Sequence, residues 1–269
     1  MLSFPANDFD LKGTLFCGQS FSWEALPDSD AFIGIAGDRA VIAKMKDERL
    51  VLEKPDASPF TETDHVFWYH YFAMDENYTQ ITADFSRDST LGACVAHSPG
   101  IRVLRQPFFD TLLSFIISQN NHIPRISGIV KRLRESFGRE LFPNVYSFPS
   151  AERLAELTVD DLAPLRAGFR GKYLLDAACK VASGQINEAL ALPLDNDAAR
   201  RLLMQIHGVG PKVADCVLLF ALGRCDVIPM DVWMKRALLD LFPAGMPAEA
   251  KGREGIAQQY IFVYARAHL

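Results

Sequence analysis

Lys212 stands directly behind the short run Gly208-Val209-Gly210-Pro211, shares a helical face with Cys216 one turn further on, and is followed nineteen positions later by Asp231. Each of these types can do chemistry. A lysine amine freed of its proton is a nucleophile and forms imines with sugar or carbonyl carbons, and partial burial in the apolar text "VADCVLLFAL" would lower its pKa toward that state. A carboxylate held ionised where positive charge develops stabilises that charge, and Asp231 precedes an amphipathic stretch whose first amides it can cap. Backbone N–H groups in a glycine hairpin that opens a helix suit a phosphate, with no need for a basic protein. Taken one at a time, each residue also has a plainer use. Lys212 reads as a surface lysine, Asp231 as a helix cap alone, and the glycine run as an ordinary helix–helix connection.

The elements that must hold these residues follow from periodicity. "DAARRLLMQI" (Asp197 to Ile206) predicts one helix, His207 to Gly210 a tight hairpin, and Pro211 the first position of a second helix, where its missing N–H costs nothing. Amphipathic or buried helices are also predicted for "DTLLSFIIS" (Asp110 to Ser118), "PRISGIVKRLRESFG" (Pro124 to Gly138) and "GKYLLDAACKVASG" (Gly171 to Gly184). Earlier in the chain, Phe21 to Lys54 alternates apolar and polar residues in short runs broken at Gly37-Asp38 and Asp47-Glu48, the pattern of an antiparallel meander. The chain therefore reads as α+β. A small antiparallel β-rich domain over residues 1–85 precedes a mostly helical body over 86–269, with a helix-hairpin-helix at about 197–223.

Composition narrows the class. The chain has 269 residues, 49% of them hydrophobic, which is enough for a buried core. It has no run of about 20 apolar residues and no basic-then-apolar start, so it reads as a soluble, non-exported protein that uses no membrane. Five scattered cysteines with no C-x-x-C pair suggest reduced thiols, not a disulfide framework or a metal cluster. The net charge of -5 argues against holding nucleic acid by bulk charge. Locally, however, Arg125, Lys131, Arg132, Arg134 and Arg139 stand against Glu135 alone, and Arg166, Arg170 and Lys172 follow without an acid; charge alone reads this as a solvated helix face.

"LLMQIHGVGPKVADC…VIPMDVWM" resembles the helix-hairpin-helix DNA glycosylase superfamily, in which a hairpin, a catalytic lysine in the following helix and a later aspartate occur at this spacing. The resemblance extends over nearly the whole chain to the 8-oxoguanine DNA glycosylases through "CGQSFSW" (Cys17 to Trp23), "FIISQNNHIPRISGIVKRL", "GFRGKY" and "GIAQQYIFVYAR". It implies a glycosylase/AP lyase that excises 8-oxoguanine from double-stranded DNA, acts as a monomer, and requires no cofactor and no iron–sulfur cluster. Its place would be the bacterial or archaeal cytoplasm or a eukaryotic nucleus.

Residue by residue, the resemblance makes Lys212 the nucleophile and Asp231 its assistant. It puts the Gly18 carbonyl on the N7–H that separates 8-oxoguanine from guanine, Cys216 and Phe262 on the two faces of the flipped base, and Gln258 on its Watson–Crick edge. Asn120 would fill the gap in the duplex and Phe169 wedge beside it. Arg125 and Arg170 would contact the orphaned cytosine, and Gly208 and Gly210 belong to the phosphate-binding hairpin. Backbone carbonyls of Met204, Ile206 and Val209 would hold a monovalent cation. His207, His122, Trp233 and Phe169 depart from common family residues. Two rivals share the hairpin: lysine-bearing glycosylases for oxidised pyrimidines, which usually carry a four-cysteine loop after the aspartate, and duplex-binding modules without chemistry.

Overall fold

The computed structural model describes all 269 residues. The alternating N-terminal text forms a five-stranded antiparallel sheet from β1 (Leu2–Pro5), β2 (Trp23–Ala25), β3 (Phe32–Ala36), β4 (Arg39–Lys46) and β5 (Arg49–Glu53), in the order β1-β5-β4-β3-β2. Gly37-Asp38 and Asp47-Glu48, the pairs that interrupt the alternation, are two of the three turns of the β2-β3-β4-β5 meander. Asp47 and Glu48 both take positive φ, 48° and 57°, the two-residue geometry whose twist matches that of the strands. Helix α1 (Leu11–Phe16) links β1 to β2, and α2 (Glu62–Tyr71), opened by a Thr61/Asp64 capping box, packs on the sheet. Their joint core is aromatic: Trp23 and Phe32 of the sheet meet Trp68, Tyr71 and Phe72, and the Trp23 indole N–H donates to the Tyr71 hydroxyl at 2.9 Å.

The helical body begins earlier than residue 86. Helices α3 (Tyr78–Phe85) and α4 (Ser89–His97) bury Ile81, Phe85, Leu91 and Cys94 in the larger core, which Ala73 already joins while Met74 still packs against the sheet's core. Contacts then cross in both directions. Leu104 returns to the sheet's core, and Phe21, Ile35 and Ala40 join the helical one. The rest of the body is α5 (Phe108–Ser118), α6 (Ile123–Phe137), a β6/β7 ribbon (Glu140–Phe142, Val145–Tyr146), α7 (Ala151–Ala155), α8 (Gly171–Ala182), α9 (Glu188–Ala191), α10 (Asn196–Leu203), α11 (Pro211–Phe220), α12 (Val232–Leu241) and α13 (Glu254–His268). At its centre α5 crosses α11, with the Phe115 and Phe220 rings stacked 5.3 Å apart.

Two expectations are adjusted. The helix predicted over Asp197 to Ile206 ends at Leu203, because the chain tightens through three-residue turns (Gln205 N–H to Leu202 O, Ile206 N–H to Leu203 O) to enter the hairpin. The basic stretch is not simply a solvated face. Arg134 is buried and Lys131 half-exposed on the same Glu24 carboxylate, and Arg132 donates to the Leu165 carbonyl at 2.9 and 3.1 Å.

One buried carboxyl joins the sheet to the central helix. Asp110, in the first turn of α5, accepts the Gly37 N–H at 2.6 Å. Burial pushes its pKa up to about 7, against the opposing pull of the Gly37 N–H and Arg134. Between its unfolded value and that folded value the native state holds a proton that the unfolded state has lost, so stability falls as pH rises across this window and levels off above it. The neutral isostere in Asp110→Asn keeps an acceptor for Gly37. It is expected to raise the urea midpoint at pH 8 and to leave it nearly unchanged at pH 4, a comparison that equilibrium denaturation at the two pH values makes directly.

Candidate active site

The hairpin is built on α8. Gly208 has φ +83°, and a Cβ there would lie 2.4 Å from the Tyr173 ring, so glycine is required both by the backbone and by the contact. Asp176, one turn after Tyr173, accepts the His207 N–H at 2.6 Å, and Lys180 joins Asp176 to the Gln205 carbonyl at 2.7 and 2.6 Å. Gly210 differs from Gly208: it is extended, and a Cβ would meet nothing within 4 Å. It keeps the approach to α11 open, and no side chain caps that helix, so its first N–H groups face outward as an anion site.

Lys212 and Asp231 border one cavity of about 430 Å³ with Ser118, Asn120, Met230 and Trp233. Lys212, half-buried in the first turn of α11, approaches Ser118 Oγ to 3.3 Å and lies 4.9 Å from the centre of the Phe115 ring. Ser118 and Phe115 both come from α5, so the α5–α11 packing aims the amine. Asp231 is the N-cap of α12 and accepts the Met234 N–H at 2.8 Å. The two functional groups form no ion pair within 4 Å. The amine is therefore not tied to a carboxylate, and the Asp231 carboxylate keeps an oxygen free of capping. Val232 and Trp233, 82% and 45% exposed, make an apolar rim beside the aspartate.

Gly18 follows α1 with φ +102°, a conformation open to glycine, and a Cβ there would come within 3.1 Å of Ile123 and 3.6 Å of the Phe262 ring. The structure thus brings Gly18 and Phe262 together although 244 positions separate them (262 − 18). Gln258 precedes Phe262 by one turn of α13 and is 5% exposed. Cys216 is buried one turn beyond Lys212; burial pushes its thiol up to about 11, with the Lys212 charge pulling the other way, so it stays an uncharged apolar surface at neutral pH.

Asn120 is exposed with φ +46° at the loop between α5 and α6, and Phe169 is 49% exposed in the 3₁₀ turn Gly168–Arg170. Arg125 is exposed on α6. Arg170 is not. It is 3% exposed and donates to the carbonyls of Gln119 at 2.9 Å, Ala167 at 3.1 Å and Asn120 at 3.1 Å, while its guanidinium lies over the Phe169 ring. Burial first, and the nearby Arg125 charge second, hold its pKa below the ordinary arginine value. Of the two arginines that the resemblance puts on the orphaned cytosine, Arg125 is open to solvent and Arg170 is buried against the carbonyls that shape the Asn120 loop. Sequence reasoning missed Ser118, Asp176 and Lys180; the first was visible as the polar end of an otherwise apolar helix, and the others had no signal beyond an i,i+4 pair.

Residues 1–112 match the 8-oxoguanine DNA glycosylase N-terminal domain, and residues 113–257 match the HhH-GPD superfamily of base excision DNA repair proteins. The N-glycosylase/DNA lyase of Saccharomyces cerevisiae is 29% identical over 259 residues, covering 87% of this chain and 69% of that protein. The structure of MBOgg1 in complex with a low affinity DNA ligand superimposes with a TM-score of 0.89 at 38% identity, over 97% of this chain and 93% of that one. The Clostridium acetobutylicum 8-oxoguanine glycosylase/lyase, in complex with duplex DNA containing cytosine opposite 8-oxoguanine, gives 0.86 at 34% identity over the same shares. With family matches covering residues 1–257, and with the hairpin, lysine and aspartate converging on one cavity, the chain belongs to the 8-oxoguanine DNA glycosylase family of the HhH-GPD superfamily.

Proposed function

We propose that this protein extrudes 8-oxoguanine from duplex DNA, excises it through a Lys212 imine and nicks the strand by β-elimination, with a preference for cytosine opposite the lesion. The observation that carries this reading is the unpaired Lys212 amine and Asp231 carboxylate on one cavity whose rim holds the exposed Asn120. A base inside the stack is out of reach of any side chain, so it must be turned out at a cost of a few kcal/mol. Asn120 offsets part of that cost by entering the gap, Phe169 wedges beside it, and the hairpin N–H groups clamp a phosphate. The base then lies against Phe262 and Cys216 with its N7–H toward the Gly18 carbonyl and its Watson–Crick edge toward Gln258. The apolar rim of Val232 and Trp233 keeps water off the reacting carbon. Lys212 attacks the anomeric carbon as the glycosidic bond breaks, Asp231 stabilises the oxocarbenium-like charge, and the resulting imine acidifies the neighbouring sugar proton.

The hairpin is the place for a monovalent cation, although the Ile206 carbonyl already accepts the Val209 N–H at 3.0 Å. Its donors would be neutral carbonyls of Met204, Ile206 and Val209, a set suited to a singly charged ion, and no group of acidic residues, histidines or cysteines competes for it. When bound it adds positive charge near the clamped phosphate, beside the hairpin's own N–H groups.

Borohydride trapping on matched duplexes tests the whole reading. Duplexes carrying 8-oxoguanine opposite cytosine are expected to give a stable protein–DNA adduct, those carrying 8-oxoguanine opposite adenine less, and those carrying thymine glycol little. Arg125 can donate to the cytosine O2 and N3, which adenine's amino group cannot match, a difference of about 1–3 kcal/mol. Arg125→Ala should therefore bring excision opposite the two bases close together. Strong trapping on thymine glycol with none on 8-oxoguanine would transfer the protein to oxidised-pyrimidine repair.

A further inference from the structure

Behind Gln258 runs a chain of buried side chains that the catalytic reading does not use. Gln259 Nε2 donates to Gln258 Oε1 at 2.6 Å, the Cys17 thiol lies 3.5 Å from Gln259 Oε1 and 3.4 Å from the Thr14 carbonyl, and Gln19 Nε2 lies 3.3 Å from Cys17 Sγ. Gln19 is fully buried and cannot turn over. Its Oε1 accepts the Leu104 N–H at 2.8 Å, and its Nε2 donates to the carbonyls of Arg102 at 2.7 Å and Thr14 at 3.0 Å. An N–H can only donate and a carbonyl can only accept, so the backbone fixes the polarity of that amide. Gly18 sits between Cys17 and Gln19, and the Gln19 carbonyl is itself held by Gln106 Nε2 at 2.7 Å.

We propose that Cys17 and Gln259, packed against the N–H side of the fixed Gln19 amide, are positioning residues that bias the Gln258 amide toward the orientation that reads a guanine-type edge and against the one that reads an adenine-type edge. The proposal rests on the reading of Gln258 as the Watson–Crick contact. With one Oε1 lone pair taken by Gln259, Gln258 is left with a second lone pair and a free Nε2, which meets no group of the chain. Guanine and 8-oxoguanine offer an acceptor at O6 and a donor at N1–H, matching that amide. Adenine and 8-oxoadenine offer the reverse, a donor at N6 and an acceptor at N1. To read them Gln258 must turn over, which sets its NH₂ against that of Gln259; turning Gln259 as well exchanges its contact with the Cys17 thiol for an N–H on the weakly accepting sulfur and sends the thiol proton to the Thr14 carbonyl, a rearrangement of three buried groups. Burial pushes that thiol up to about 11, so it carries its proton and remains a donor at neutral pH. The same relay spans Gly18, so edge reading and N7–H reading share one support.

8-Oxoadenine is the discriminating probe, because it keeps the N7–H and the C8 oxygen and changes only the edge. Single-turnover excision of 8-oxoguanine and of 8-oxoadenine, each opposite cytosine, gives a rate ratio that is internal to the folded fraction of any preparation. Cys17→Ala and Gln259→Leu are each expected to lower the ratio by about fivefold or more, and Cys17→Ser, which keeps a donor, to hold it near the wild-type value. Gln258→Ala supplies the reference. If it collapses the ratio while Cys17→Ala and Gln259→Leu leave it intact, the relay is overturned and the reading of Gln258 stands. If Gln258→Ala leaves the ratio unchanged, Gln258 does not read the edge and both fall.

Discussion

Lys212→Gln is expected to abolish the borohydride adduct with 8-oxoguanine DNA, to slow excision on the order of a thousandfold or more, and to leave lesion binding largely intact. Glutamine keeps most of the lysine's length and its capacity to donate to Ser118 Oγ, which Nζ approaches to 3.3 Å. It has no nucleophilic nitrogen. Cys216 cannot replace it, being buried with its thiol raised to about 11, and the second lysine on the cavity, Lys235, projects from α12 and not from the hairpin helix. Because Lys212 forms no ion pair, its loss leaves no carboxylate stranded, so the variant should fold with a melting temperature close to that of the parent. Duplex affinity depends on the hairpin N–H groups, Asn120 and Arg125, which the substitution does not touch. An adduct that persists in Lys212→Gln would move the nucleophile elsewhere, and loss of binding together with loss of excision would make the lysine an affinity residue of a duplex-binding module.

The sequence made the pieces of this site legible and left their assembly dark. Periodicity of two and of three to four separated the meander from the helices, and the pairs that break the alternation are two of its turns. Gly208-Val209-Gly210-Pro211 announced a hairpin because local φ preferences decide it. What local preference cannot encode is which distant segment closes on which. That Gly18 meets Phe262, or that α5 aims Lys212 through Ser118 and Phe115, follows from packing of the larger core. Charge was the least faithful guide. Arg170 and Arg134 look alike with Arg125 in the sequence, yet two are internal struts and one faces solvent, because a guanidinium can satisfy several carbonyls at once and so be buried at tolerable cost. The early start of the helical body has a similar origin: Ile81, Phe85 and Leu91 carry the same apolar faces whether they cover a sheet or a helix.

Asp231→Asn separates two duties that one side chain performs. Asparagine caps helices as well as aspartate does, so the bond now made to the Met234 N–H at 2.8 Å survives and α12 keeps its start. Val232 and Trp233, which the cap orients at the cavity rim, stay where they are. Only the negative charge is lost. In the ground state the base and sugar are neutral and gain little from a carboxylate, whereas positive charge on the sugar builds as the glycosidic bond stretches. The effect should therefore appear in the single-turnover rate and not in binding, a fall of about 10²–10³. The cavity shields that charge less well from water before DNA closes over the rim than after, so the loss should be greater on duplex than on a flexible single strand. Lysis of a preformed abasic site needs no base departure, and on that substrate the same variant should lose much less. Equal losses on the lesion and on the abasic site would show that the carboxylate serves the lysine in both steps instead of the departing base, and a variant with a lowered melting temperature would show that it serves the fold.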